Sequence, residues 1–369
     1  MPDAFSIMVL VVVSVYFILI ISFYAGWLRT RRYGLKPGNE SVRVSILLPC
    51  HNERKNIAEL SDALDRQDYP KNLCEVIWID DHSDDGTGEL LEKIVLSSPG
   101  NRLLHLSGQE SGKKAGLKAG MECASGELIL LTDADSRPGK NWIRTLASFY
   151  QETNTDLIAG PVILGPAATW QEKIQKLEFL SLVASSVGSA GIGRPVMLQG
   201  PNIGVKASDY KAMVIDLDNR FVSGDDVFLL QAMKRIPGRR IRYVISRDAI
   251  IESKPAASLI GFLKQRRRWA SKAKGYTDPF LVLTTLVVFL ANLSILISFI
   301  AAPAGWSMWY LPLILLGIKS AADLPLLIRA SRFFRCTSLL IWFLPVQIFY
   351  PFYVVIAAVW AMAGKVRWK

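Results

Sequence analysis

The sequence predicts an α/β domain with a doubly wound mixed sheet, placed between an N-terminal transmembrane helix and C-terminal transmembrane helices. Three observations predict it. Nearly uncharged apolar stretches occupy residues 5–27 and 279–302, each long enough to cross a hydrocarbon core of roughly 30 Å as a helix. Roughly 240 residues of charge-rich sequence lie between them, the size of one or two water-facing domains. From residue 44 onward, short apolar runs alternate with amphipathic stretches, as in sheets built from strand–helix–strand units.

The elements follow in order. Val44–Leu48 is a continuous apolar run, as expected of a strand covered on both faces. Residues 53–67 have helical spacing, with Ile57, Leu60, Ala63 and Leu64 on one side. Residues 75–79 read as a second strand, 86–97 as a helix, 103–106 as a third strand, 115–124 as a helix and 127–131 as a fourth strand. Ligands of such sheets bind at the carboxyl ends of strands. Those ends carry Pro49-Cys50-His51-Asn52-Glu53, then Asp80-Asp81-His82-Ser83-Asp84-Asp85-Gly86-Thr87, then Thr132-Asp133-Ala134-Asp135-Ser136. Further on, the spacing predicts a helix over 142–150, a strand over 157–162, a helix over 171–186, a tight turn at Gly200-Pro201-Asn202-Ile203-Gly204, a helix over 226–235 and a strand over 242–246.

After Trp269 the pattern returns to membrane segments: 279–302, then 306–328 with Lys319 and Asp323 four residues apart, then 336–363 with Pro345 and Pro351. Charges inside a span are costly and face a partner or a cavity, so Lys319 and Asp323 are expected to pair. If all four segments span around a cytoplasmic domain, the tail with Lys365, Arg367, Trp368 and Lys369 ends outside, against the positive-inside rule. A re-entrant or interfacial segment among the last two would remove that conflict.

The formal net charge is +11. Its basic residues gather beside the apolar segments, Arg29, Arg31, Arg32 and Lys36 after the first and Lys264, Arg266, Arg267, Arg268, Lys272 and Lys274 before the second. That placement fits attraction to membrane lipid head groups and a cytoplasmic middle domain rather than nucleic-acid binding. The four cysteines are scattered without metal-ligand spacing, and three histidines are too spread for a zinc site. Residues 1–27 are long for a cleaved signal, begin with Asp3 rather than basic residues, and lack a small-x-small cleavage site, which favours a retained anchor.

Three acidic clusters stand out. Asp133 and Asp135, one residue apart after a strand, offer oxygen ligands to a hard divalent cation such as Mg²⁺ or Mn²⁺. A solvated turn is the better explanation of that pair when it stands alone. Asp80 and Asp81 end a buried-type strand, where a carboxylate can accept a hydrogen bond from a base or a ribose. Asp84 or Asp85 reads as a helix cap. Asp225 and Asp226 open a helix whose positive dipole end favours carboxylates. Residues 259–269 form an amphipathic stretch with Leu259, Ile260, Phe262 and Leu263 as its apolar residues, suited to a membrane interface.

Taken in order, these segments resemble family 2 glycosyltransferases. The residues that carry the resemblance are Val44–Glu53, Ile79–Thr87, Gly112-Lys113-Lys114-Ala115-Gly116-Leu117-Lys118-Ala119-Gly120, Asp133-Ala134-Asp135 and Gly224-Asp225-Asp226-Val227-Phe228-Leu229. Gln265-Arg266-Arg267-Arg268-Trp269 is similar to the Gln-x-x-Arg-Trp motif of the membrane-bound branch, which includes cellulose, chitin and hyaluronan synthases and ceramide glucosyltransferases. The resemblance covers roughly residues 42–275 and implies a GT-A fold. This sequence departs from the usual pattern at Cys50-His51, at His82 where glycine is frequent, and at Lys118 where asparagine is frequent.

By that resemblance Pro49 and Glu53 bracket the first loop at the nucleotide, Asp81 contacts the base, Lys113 lies near the nucleotide, and Asp133 approaches the ribose or metal. Asp135 ligates the Mg²⁺ or Mn²⁺. Asp226 is the general base, beside Asp225 in place of a common glutamate, and Gln265, Arg268 and Trp269 border the acceptor and the diphosphate. The implied reaction is an inverting transfer from a nucleotide-sugar donor, expected to be a UDP-sugar, to a lipid or glycan acceptor. The expected organisation is an anchor over 1–30, a cytoplasmic catalytic domain over 42–275 and a membrane region of two or three spans over 279–364, in a bacterial inner membrane. Polyprenyl-phosphate sugar synthases resemble the same fold but typically lack the motif carried by Gln265 and Trp269. A non-catalytic nucleotide-binding scaffold has no use for Asp81, Asp135 and Asp226 together, and a transporter, suggested by Lys319 and Asp323, none for the acidic motifs.

Overall fold

The computed structural model describes residues 4–35, 40–108, 110–214, 225–305 and 307–362. The expected basic tail after residue 362, Lys36 and Gly224 lie outside the described residues. The chain divides into two compact units. The sheet unit comprises residues 31–165 and 197–254, and the helical unit residues 1–30, 166–196 and 255–369.

The chain begins with α1 (Ala4–Arg29), then β1 (Val44–Cys50), α2 (Arg54–Asp65), β2 (Cys74–Asp80), α3 (Thr87–Ser97), β3 (Asn101–His105), α4 (Lys113–Cys123) and β4 (Leu128–Leu131). It continues with β5 (Arg137–Pro138), α5 (Trp142–Thr153), β6 (Leu157–Ala159), β7 (Val162–Leu164), α6 (Trp170–Gly191), β8 (Ile203–Lys206), α7 (Ala207–Val214) and α8 (Asp225–Arg235). It closes with β9 (Ile241–Tyr243), β10 (Ile251–Ser253), α9 (Leu259–Ser271), α10 (Pro279–Ala301), α11 (Leu311–Phe333) and α12 (Phe343–Met362).

Among the described residues the main sheet has seven strands in the order β3-β2-β1-β4-β8-β6-β9. Strands β3, β2, β1 and β4 run parallel, while β8 is antiparallel to both neighbours. This is the doubly wound, mixed sheet that the sequence predicts. β4 is buried along its whole length, and β1 everywhere but Pro49, which is why both read as unbroken apolar runs. Successive crossovers carry the chain from β1 outward to β3, then back across to β4. The carboxyl ends of β1 and β4 therefore flank a switch point, the place where such sheets open a crevice for ligands.

Three details differ from the sequence reading. The strand expected over 157–162 is two strands in different sheets: β6 joins the main sheet, and β7 joins a small sheet of order β5-β10-β7. Gly160-Pro161 makes the break. Proline has no N–H for a ladder, and a β-carbon on Gly160 would lie 2.2 Å from the Asn202 side chain. The tight turn at 200–204 is shorter than expected, because Ile203 and Gly204 already pair with β4 and β6. The strand expected over 242–246 is regular only to Tyr243, with Ile245 forming an isolated bridge to Arg32.

In the helical unit, α1, α10, α11 and residues 337–362 are each long and apolar enough to cross a membrane. Helices α6 and α9, which fall inside the 42–275 stretch expected to form one domain, pack in this unit. A capping box starts α6: Thr169 Oγ1 accepts from the Glu172 N–H at 3.2 Å while Glu172 Oε2 accepts from the Thr169 N–H at 2.9 Å. Helices α1 and α6 meet through glycines. A β-carbon on Gly188 would lie 2.3 Å from the Phe23 carbonyl oxygen, and one on Gly191 would lie 2.0 Å from that of Gly26. Small residues permit such close helix crossings. Lys319 and Asp323 pair as expected, at 2.6 Å. Gln347 joins both of them, and the Tyr16 hydroxyl donates to Asp323 Oδ1 at 2.6 Å. The network ties α1, α11 and α12 together.

Candidate active site

The site grows from the carboxyl ends of β1, β2 and β4 in the sheet unit. Beyond β1, Asn52 takes left-handed backbone (φ 57°) and turns the chain into α2. Its Oδ1 accepts from the Asp84 N–H at 2.9 Å, and the Glu53 N–H donates to Thr87 Oγ1 at 2.9 Å. The first two loops are thus stitched to each other. Asp85, read as a helix cap, accepts from the Thr87 N–H and from the Arg54 N–H. Gly86, at φ 85°, is the residue preceding the helix.

Asp81 is 9% exposed. Its N–H donates to the Cys50 carbonyl at 2.8 Å, and its Oδ2 accepts from the Gly112 N–H at 2.7 Å. The carboxylate therefore anchors the start of α4, the helix that opens with Lys113 and Lys114. His51 Nδ1 donates to the Asp81 carbonyl at 2.6 Å, which assigns that proton to Nδ1. His82, at φ 54°, adopts the left-handed conformation that explains why glycine is frequent here in the resembling family.

Lys113 reaches from α4 to Asp133 Oδ1 at 2.5 Å. Burial opposes its charge, but Asp133 and Asp225 outweigh that, and its pKa is raised. Asp226 contributes in the same direction. Lys113 thus ties the start of α4 to the loop after β4. Asp135 follows Asp133 by two residues. Burial, followed by the charges of Asp133 and Glu53, pushes its pKa up to about 6. Carboxylates crowded in this way form an all-oxygen donor set of the kind that Mg²⁺ and Mn²⁺ accept, and a cation would relieve their repulsion. Among the described residues no group of three or more His, Cys, Asp or Glu is placed to hold a metal by itself. Substrate oxygens would complete the set, which is usual for Mg²⁺.

Asp225 and Asp226 open α8. A β-carbon on Gly200 would lie 3.9 Å from Asp226 Oδ2, so the Gly200-Pro201-Asn202 turn borders that carboxylate. Pro49 packs beneath α4, where a β-carbon on Gly116 would lie 3.3 Å from it. Thus Pro49, Glu53, Asp81, Lys113, Asp133, Asp135, Asp225 and Asp226 all stand on one unit. Gln265, Arg268 and Trp269 stand on α9 in the helical unit.

Two residues escaped the sequence reading. Lys114 lies 3.9 Å from Asp225 and 5.6 Å from the Phe228 ring centre, linking α4 to α8. Its place inside the lysine-containing motif was the available signal. Asn202 is fully buried; it accepts from Trp142 Nε1 at 2.9 Å and donates to the carbonyls of Pro161 and Ala249, each at 2.8 Å. It braces the turn beside Asp226. Its partners lie 41 to 60 residues away in sequence, where no local pattern could indicate them.

Comparison with known proteins places the chain. The family model described as "Glycosyl transferase family 2" matches residues 45–198, and the one described as "Glycosyl transferase family group 2" matches residues 128–362. Glycosyltransferase AglE of Haloferax volcanii is 26% identical over 267 residues, covering 70% of this chain and 82% of that protein. The poly(ribitol-phosphate) β-N-acetylglucosaminyltransferase TarS of Staphylococcus aureus is 29% identical over 117 residues, covering 32% of this chain and 20% of the relative. Among solved structures, the mannosyltransferase PcManGT from Pyrobaculum calidifontis, in complex with GDP-Man and Mn²⁺, superposes with a TM-score of 0.58 at 18% identity, covering 96% of this chain and 99% of that one. Motif order, sheet topology and family models agree: the chain belongs to glycosyltransferase family 2, a GT-A enzyme of glycosyl transfer from a nucleotide sugar.

Proposed function

We propose that this glycosyltransferase moves a sugar, with inversion, from a UDP-sugar to a lipid or glycan acceptor at the cytoplasmic face of a bacterial inner membrane. One observation carries the reading. At the start of α4, Lys113 meets Asp133, after β4, at 2.5 Å, and the next residue, Lys114, lies 3.9 Å from Asp225 at the start of α8. A diphosphate station and a base station thereby share one edge of the sheet.

In this reading Pro49, Glu53 and Asp81 bound the nucleotide pocket, and the Lys113 ammonium approaches the diphosphate. Asp133 faces the ribose, and Asp135 with Asp133 would hold Mg²⁺ or Mn²⁺. The cation, when bound, supplies charge neutralisation to the departing diphosphate. Asp226 removes the proton from the acceptor hydroxyl. The freed oxygen attacks the anomeric carbon from the side opposite the phosphate, and the carbon–oxygen bond to the diphosphate breaks. One base suffices for a single displacement, unlike the two-carboxylate arrangement of glycosidases. Asp225, neighbour to Lys114, holds the α8 terminus. The resemblance assigns Gln265, Arg268 and Trp269 of α9 to the acceptor and the diphosphate, where an arginine's role is to stabilise developing charge.

The membrane placement is supported by the candidate spans and by the basic residues that flank them. The domain boundaries follow: an anchor over 1–30, catalysis over 42–275 and spans over 279–364. The test is nucleotide release from a panel of nucleotide sugars by the membrane-embedded protein with Mn²⁺ or Mg²⁺, beside Asp135→Ala and Asp226→Asn. Release from one donor, abolished in both variants, is the expected outcome. Equal behaviour of parent and variants would overturn the assignment and favour a nucleotide-binding scaffold.

A further inference from the structure

Arg266 occupies one of the two unspecified positions of the Gln265–Trp269 motif, yet it is the most buried of the five residues. It and Glu178 of α6 are each 4% exposed. Arg266 Nε donates to Glu178 Oε1 at 3.0 Å, and Nη2 donates to Oε2, so the guanidinium meets the carboxylate as a fork. The Tyr353 hydroxyl of α12 donates to the same Oε1 at 3.1 Å. On its remaining edge, Arg266 Nη1 donates to Gln265 Oε1 at 2.6 Å. Its guanidinium carbon lies 4.1 Å from the centre of the Trp269 ring and 4.5 Å from that of Phe262.

A buried ion pair is poor evidence of stability, since apolar residues of similar volume often serve as well. What this pair does is geometric. Glu178 fixes the plane of the guanidinium. That plane then presents one N–H to Gln265 and one face to Trp269. An ammonium at position 266 would balance the Glu178 charge, but it has no plane with which to orient both neighbours.

We propose that Glu178 and Arg266 are positioning residues that set the Gln265 carboxamide and the Trp269 ring for the acceptor. This rests on the reading that α9 borders the acceptor. The full chain in nanodiscs is assayed with each nucleotide sugar of the panel and with lipids containing diacylglycerol and undecaprenyl phosphate, beside Glu178→Gln and Arg266→Lys. UDP affinity is measured by calorimetry, and hydrogen exchange is measured over α9. Both variants are expected to keep the parent's UDP affinity and donor KM, to exchange faster over residues 259–271, and to lose about 100-fold in kcat, the cost of a misplacement near 1 Å. Parent-like turnover by Arg266→Lys would overturn the proposal, leaving the pair as charge balance. Loss of UDP affinity in step with kcat would also overturn it, because the pair would then hold the whole fold. If the parent transfers nothing, the functional reading fails by itself. Exchange then decides the positioning claim, with parent-like protection of α9 in both variants overturning it.

Discussion

The two units hold their carboxylates and cations in opposite ways. In the helical unit, Asp323 and Glu178 are saturated. Asp323 takes Tyr16 on one oxygen and Lys319 and Gln347 on the other, and Glu178 takes Arg266 on both oxygens. In the sheet unit, Asp133 and Asp135 are crowded and partly open. Asp133 is 35% exposed on its side chain, and Asp135 is pushed towards its neutral form, burial leading and like charges following. Saturated networks tie helices together, whereas a crowded group retains capacity for a ligand. The same residue types thus tie helices in one unit and stand crowded and partly open in the other, and neighbours rather than composition make the difference.

The contrast can be broken experimentally. The largest expected effect is on rate: Asp226→Asn should lower transfer by about 10²- to 10⁴-fold, the usual worth of a general base, with little change in melting temperature. A melting shift equal to that of a core mutant would remove Asp226 from the chemistry. Lys319→Met should do the reverse. It leaves the half-buried Asp323 without its cation and should cost up to about 3–5 kcal/mol of stability, read by thermal unfolding in detergent. Replacing Lys319 and Asp323 together with Met and Leu should recover most of that loss. If the double variant melts as low as the single one, the network is more than a charge-balanced tie.

Smaller effects sharpen the comparison. Gly188→Ala places a methyl where only 2.3 Å separates it from the Phe23 carbonyl oxygen, and should cost about 1–3 kcal/mol by overpacking. An unshifted melting temperature would mean that α1 and α6 can separate freely. His82→Gly relieves a left-handed backbone at φ 54° and should raise stability by about 1 kcal/mol at most. A drop would show that the contact between His82 and Asp81, at 3.1 Å, outweighs the strain.

Much of this was legible along the chain. β1, β2 and β4 read as strands because both faces are buried, and α2 reads as a helix because Ile57, Leu60 and Leu64 recur on one side. Such periodicities are properties of neighbouring residues. The split of 157–164 into two sheets was not legible, because it depends on Asn202 filling the space beside Gly160. Glu178 was not legible either: its partner Arg266 lies 88 residues away, and nothing around it distinguishes it from a solvated helix glutamate.

By itself, then, the sequence determined the first four strands of the sheet, the long apolar helices, the order of the acidic motifs, and the family they indicate. These depend on local chemistry and spacing. Only the tertiary structure decided that Lys113 meets Asp133 and Lys114 approaches Asp225, that Asn202 braces the turn beside Asp226, and that Arg266 and Tyr353 meet on Glu178. Each of those arrangements joins residues far apart along the chain, and a carboxylate's role is set by the charges and hydrogen bonds that folding brings to it.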